Sequence, residues 1–151
     1  MSEELRKEIL DYLESHTATV MATSKQDNPR AASVLYAHDG FNIIVHTIAG
    51  TAKVRTVEVN PNVALVIDDQ AHEGWGQTKT LQYIGKAEII KNSEEQQKAA
   101  ELYVKRFPIV KRYLTPEGLA TDQVLIKITP ERLYFSDYSK GMGHREKLET
   151  F

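Results

Sequence analysis

The chain of 151 residues reads as a mainly β protein, an antiparallel barrel with flanking helices. Two observations carry that expectation. Alternating or near-continuous apolar stretches recur at 17–23, 30–37, 41–47, 63–67 and 80–90, and short polar turns join most of them. Such runs favour antiparallel pairing over a parallel βαβ sheet. The 80–90 stretch is long for a strand and carries Gly85 in its middle. A bulge or bend there is what a sheet needs in order to close on itself.

The elements follow in order. Ser2 can cap a first helix over 3–15, with Glu3 and Glu4 at its positive end and Leu5, Ile9, Tyr12 and Leu13 on one face. Ala18, Val20 and Ala22 then alternate with Thr17, Thr19 and Met21 in a half-buried strand. Lys25 to Pro29 is a turn cluster, 30–37 a second strand, and His38-Asp39-Gly40 a tight connection into 41–47. A short helix follows Gly50 and stops at Asn60-Pro61, because the residue before proline disfavours the α region. After strands at 63–67 and 80–90, Ser93-Glu-Glu-Gln96 reads as a capping box. It opens a helix through about Phe107, within a helical insertion over 93–114, with Ala99, Leu102, Tyr103 and Phe107 on the buried side. Lys105, Arg106, Lys111 and Arg112 read as a solvated surface. Two more strands, 123–128 and 132–135, flank Thr129-Pro130-Glu131, and 137–151 reads as a polar, flexible tail.

Length and composition set the bounds. One domain is expected, large enough for a core without staples. With no cysteine, disulfides, thiolate metal sites and cysteine nucleophiles are excluded. The charged N-terminus has no signal core and no apolar run approaches the ~20 residues of a membrane span, so a soluble, cytoplasmic protein is expected. A net charge of −2 gives no general pull toward nucleic acid. His16, His38, His46, His72 and His144 show no metal-ligand spacing, and no serine elbow, Walker loop or dinucleotide glycine fingerprint is present. A redox role would have to borrow its chemistry from a cofactor.

The richest stretch runs from Phe41 to Pro61. It is a strand, then a glycine, then a helix whose first turn carries Thr51 and Lys53. Thr51 is a candidate N-cap, and a helix start attracts anions. Lys53 adds a full charge, while Arg55, about 200° further round the helix, points the other way. An ordinary capped surface helix with solvated cations is the alternative.

Val45 through Thr51-x-Lys53 to Asn60-Pro61-Asn62-Val63, followed by Tyr83-Ile84-Gly85-Lys86-Ala87-Glu88, resembles the pyridoxamine 5′-phosphate oxidase-like family. The resemblance implies a split β-barrel that binds flavin mononucleotide (FMN) at a homodimer interface. It places the phosphate at Thr51 and Lys53, and Val34, Leu35 and Tyr36 along the flavin. His46 and Thr47 lie beside it, and Thr80 or Gln82 reaches the ring from the partner. Ala32 and Ala52 stand where the family's vitamin B6 oxidases carry arginines, and Gly143-His144-Arg145 only echoes their C-terminal pattern. The resemblance therefore points to the family's wider set of small flavin-binding relatives. It implies an oxidoreductase with an unidentified small substrate and an electron donor such as a nicotinamide. Alternatives are an electron carrier or sensor, and a barrel for deazaflavin or for haem with His46 or His144 on iron. An oligonucleotide-binding barrel fits least, since the strands lack a basic, aromatic face.

Overall fold

The structure, a computed structural model, describes residues 2–69, 74–115 and 118–151; His72 lies outside these. The order is α1 (Ser2–Ser15), β1 (Ala18–Lys25), β2 (Asn28–Asp39), β3 (Asn42–Ile48), α2 (Ala52–Val59), β4 (Asn62–Asp68) and β5 (Lys79–Ile89). Then come α3 (Ser93–Arg106), a small β6–β7 pair (Leu114–Thr115, Gly118–Leu119), β8 (Gln123–Asp137) and β9 (Arg145–Leu148). The large sheet runs β3-β2-β1-β4-β5-β8-β9, and a β3–β8 pairing closes its first six strands into an antiparallel barrel.

Local chemistry sets the turns. Lys25 pairs with Asn28, and the two residues between them, Gln26 and Asp27, have φ of 50° and 64°. That is the left-handed pair a tight hairpin with the right twist requires. The turn is thus shorter than the sequence suggests, and Pro29 sits on β2 opposite Ser24. The buried sides of the strands fill the barrel with Met21, Tyr36, Ile43, Val45, Leu65, Ile67, Leu81, Tyr83, Ile126, Leu133 and Phe135. Two tyrosines are buried there without orphaned hydroxyls. The Tyr36 hydroxyl donates to the Leu13 carbonyl oxygen at 2.7 Å, and that of Tyr83 reaches the carbonyl oxygens of Phe41 (2.7 Å) and Ile128 (2.9 Å). The apolar stripe of α1 (Leu5, Ile9, Tyr12 and Leu13) joins this core. A second cluster lies under α3, where Ala99, Ala100 and Tyr103 cover Ala37, Ile44 and Leu125.

Four local expectations are corrected. The stretches 123–128 and 132–135 form one continuous β8, despite Pro130. Gly85 pairs with Pro130 and Ile84 with Arg132, so Glu131 is an extra, unpaired residue. That bulge absorbs the missing proline donor and bends β8 where it exchanges β3 for β9 as its neighbour. The tail is not structureless: β9 pairs with β8, Leu148 is buried in the main core, and the Phe151 ring packs edge-on against Phe41. The cap of α3 is Asn92, whose side chain accepts from the Glu95 N–H at 3.0 Å, not Ser93. The helix itself runs to Arg106 with Phe107 as its C-cap, close to the expected end. The rest of the insertion to 114 is a short 3-10 turn and the start of β6. Finally, Arg106 is no solvated cation. Its guanidinium lies over the Tyr36 ring and donates to the last carbonyl oxygens of α1.

Candidate functional site around the start of α2

The barrel splits next to α2. Strands β2 and β3 pair from Asp39–Asn42 as far as Tyr36–Val45 and then part. Beyond that point Asn28–Leu35 pairs with β1 alone, while β3 runs on to Ile48 against β8. The chain leaves β3 through Gly50, whose φ of +85° is a left-handed value that glycine adopts without strain. Thr51 follows as the N-cap of α2. Its hydroxyl oxygen accepts from the Val54 N–H at 3.5 Å, which leaves its own proton free to donate to an anion. Arg55 donates to the Gly50 carbonyl oxygen and ties down the loop from the other side. At the far end, Asn60 donates from Nδ2 to the Ser24 carbonyl oxygen at 2.8 Å, fastening α2 to β1.

Lys53 precedes the buried residues Thr56 and Val57 by three and four positions, so it shares their barrel-facing side. It is half-buried and has no hydrogen bond or ion pair among the described residues. Arg55 is on the other side of the helix. With Ala52 and Thr56 it borders a groove of about 520 Å³ whose opposite wall is Lys25, Gln26, Asn28, Pro29 and Arg30.

The other anticipated residues divide. Val34 turns inward onto the core, and Leu35 turns outward and is 48% exposed. Tyr36 is wholly buried, with its N–H committed to the Thr17 carbonyl oxygen at 3.0 Å. Tyr36 therefore fixes the wall and leaves no polar group of its side chain for a ligand. His46 and Thr47 are half-buried on the β3 side of the split. Nε2 of His46 is hydrogen-bonded with the Gln123 side-chain oxygen, and its ring lies edge-on to Tyr103, with centroids 5.5 Å apart. Burial pushes the Tyr103 phenol up to about 12, against a smaller opposing effect of the hydrogen bond with the His46 backbone. Gln123 and Tyr103 thus orient His46, a role no local signal in their own segments announces. Val34, Leu35, His46 and Thr47 are on the two strands that part, and Thr51 and Lys53 are joined to β3 through the Gly50 turn. Thr80 and Gln82 are not: they lie on the outer side of β5, with Gln82 opposite Val66. That outer surface also carries exposed apolar side chains beside polar ones such as Ser33, which pairs with Val20. Val20 (42% exposed) faces Val66 (42%), and Leu35 faces Ala18.

Of the histidines named as iron ligands, His144 contacts Glu146 at 3.2 Å and stands apart from His46 on the tail. Among the described residues no group of His, Asp and Glu is arranged to hold a metal. Nor is any described helix long and apolar enough to cross a membrane.

A family model described as pyridoxamine 5′-phosphate oxidase matches residues 5–137. The chain belongs to that family. General stress protein 26 of Bacillus subtilis (strain 168) is 29% identical over 92 residues, covering 61% of this chain and 64% of the relative. The chain thus matches a little under two thirds of that relative's length. The crystal structure of general stress protein 26 from Bacillus anthracis superposes with a TM-score of 0.72 at 25% identity, over 97% of this chain and 98% of the other. A haem-binding protein from Mycobacterium smegmatis superposes with a TM-score of 0.80 at 16% identity, over 95% of this chain and 57% of the other, and shares the fold. The split barrel of the family is therefore the architecture of this chain.

Proposed function

We propose that the chain is a soluble, cytoplasmic flavoprotein that binds FMN in the split between β2 and β3, with the phosphate at the start of α2. The observation that carries this reading is the pairing of Thr51 and Lys53. One offers a free hydroxyl proton at a helix start, and the other a half-buried ammonium with no partner among the described residues. A cation in that state is stabilised by an anion held beside it, and a phosphate accepts from both groups at once. Beyond Tyr36 the β2 backbone at Val34 and Leu35 is no longer paired with β3 and can line one side of a flavin, and His46 and Thr47 supply polar groups on the opposite strand. Bound FMN would supply hydride chemistry, while the protein supplies position and shelter from water. The reading is of an oxidoreductase that takes electrons from a nicotinamide or similar donor and passes them to a small acceptor.

The site is completed in this reading by a second copy of the chain. Leu35, Val20 and Val66 form an exposed apolar surface continuous with Gln82, and a two-fold pairing across it would bury the patch. Such a pairing would also bring Thr80 or Gln82 of one copy toward the split of the other.

Haem is the second reading, favoured by a single observation: His46 has one ring nitrogen held by Gln123, which leaves the other free for iron. Absorbance and mass spectrometry of the ligand released from purified protein distinguish the two. Flavin bands and the mass of FMN are expected. A Soret band with the mass of haem would replace the flavin reading.

A further inference from the structure

The groove between the Lys25–Arg30 hairpin and the Ala52, Arg55 and Thr56 edge of α2 is not lined by Lys53, and the FMN reading leaves it unused. Its walls hold three cations: Lys25 at the end of β1, Arg30 on β2 and Arg55 on α2. No carboxylate lines it, and neither Lys25 nor Arg30 has a partner among the described residues. Its floor is small, made of Ala52 and Thr56, and its rim carries the side-chain amides of Gln26 and Asn28. At about 520 Å³ it falls within the range of small-molecule sites, roughly 300–1,000 Å³, and has more room than one phosphate fills. The walls are also held in place. The tight Gln26–Asp27 turn fixes one side, and the Asn60–Ser24 and Arg55–Gly50 hydrogen bonds fix α2 against it.

Three cations without a counter-charge call for a ligand of two or more negative charges. The space beside them calls for a flat polar body that guanidinium groups can stack on and amides can hydrogen-bond. A phosphorylated nucleoside has both. We infer that this groove binds the adenosine-phosphate end of a dinucleotide whose redox end works at the split. The inference rests on the flavin reading for its context. The adenosine phosphate has two possible sources, the flavin cofactor itself as a dinucleotide, or a nicotinamide donor carrying a 2′-phosphate.

The test uses the full chain with ADP and 2′,5′-ADP as probes in calorimetric titrations. Wild type is expected to bind at least one of them. Arg30→Ala/Arg55→Ala is expected to weaken that binding by roughly tenfold or more, as loss of charged hydrogen bonds implies. Lys53→Ala should leave it unchanged. Arg30→Glu, at an exposed strand position, leaves the α2 loop untouched and should do the same damage as the double variant. FAD against FMN, and NADPH against NADH as reductant, then assign the source. A preference for FAD that the double variant abolishes assigns the groove to the cofactor. A preference for NADPH that it abolishes assigns it to the donor. If the probes bind while neither flavin does, the groove stands and the FMN reading falls. Three results overturn the inference: no probe binding, probe binding that Arg30→Glu leaves intact, or a Lys53→Ala variant that loses the probes equally. Probe binding with neither dinucleotide preferred by a flavin-loaded chain overturns it as well.

Discussion

A β-carbon on Gly85 would sit 2.3 Å from the carbonyl oxygen of Thr129, well inside contact distance. The obstacle is backbone on the opposing strand of the ladder, next to the Glu131 bulge, and cannot swing away as a side chain would. Gly85→Ala is therefore expected to destabilise the fold by about 1–3 kcal/mol, the usual range for overpacking. Urea denaturation checks this: the midpoint should fall with the slope unchanged. A raised midpoint would mean that β5 and β8 have room that this pairing denies.

Arg106 joins the two longer helices. Its Nη2 faces the carbonyl oxygens of Glu14 (2.9 Å), Leu13 (3.3 Å) and His16, and its guanidinium carbon is 5.1 Å from the Tyr36 ring centroid. It supplies positive charge where the α1 dipole ends and satisfies carbonyl groups the helix leaves unpaired. Arg106→Ala should cost about 1.5–3 kcal/mol, and Arg106→Lys should restore only part, since an ammonium lacks the planar fork. Faster amide exchange confined to the end of α1 would accompany the loss. Unchanged stability in both variants would contradict the assignment.

Asp137 gives the fold an acid-sensitive point. Burial pushes its carboxyl up, but the Ser139 hydroxyl (2.6 Å) and N–H (3.0 Å), with Lys79 and Lys140 nearby, more than offset this. Its value is left below that of an ordinary aspartate. A depressed folded value contributes stability that is fully present above the unfolded value, near pH 4, and lost as pH falls through the folded one. The stability difference between wild type and Asp137→Asn should thus be constant from neutral pH to about pH 5 and shrink below roughly pH 4. A difference that grew in acid would reverse the sign.

The apolar surface at Val20, Leu35 and Val66 should be covered in solution by a second copy. Light scattering is expected to give a dimer for wild type and a monomer for Val20→Asp, because a charge buried in an apolar interface without a partner is costly. Val20 is exposed in the single chain, so the variant should still fold. A wild-type monomer that binds FMN stoichiometrically would remove the second copy from the account.

What could be read from the sequence tracks how local the determinants are. The strands from β1 to β5 were legible because apolar runs, alternating or near-continuous, are written within each one, and the Thr51 cap because glycine, threonine and helix are adjacent. Pro130 read as an interruption because its compensation, the bulge against Gly85, lies on another strand. The tail strand was illegible for a similar reason: β9 exists through the edge that β8 offers it. Arg106 read as solvated because the Glu14 carbonyl it serves is 92 positions away. The cationic groove draws on a hairpin and a helix that meet only in the fold, so neither segment revealed it. The departures Ala32 and Ala52, by contrast, were plain from the sequence, and Ala52 now stands on the floor of that groove.

The central claim is that Lys53 and Thr51 hold a phosphate. Titrating FMN and riboflavin into Lys53→Ala and Arg55→Ala tests it most directly. A hydrogen bond to a charged group is worth roughly 1.5–3 kcal/mol, so Lys53→Ala should weaken FMN about 10- to 100-fold. Riboflavin, which lacks the phosphate, should bind wild type and Lys53→Ala nearly equally, and Arg55→Ala should change FMN binding much less. If Arg55→Ala costs as much as Lys53→Ala, or if riboflavin suffers as much as FMN, the phosphate does not lie at Thr51 and Lys53.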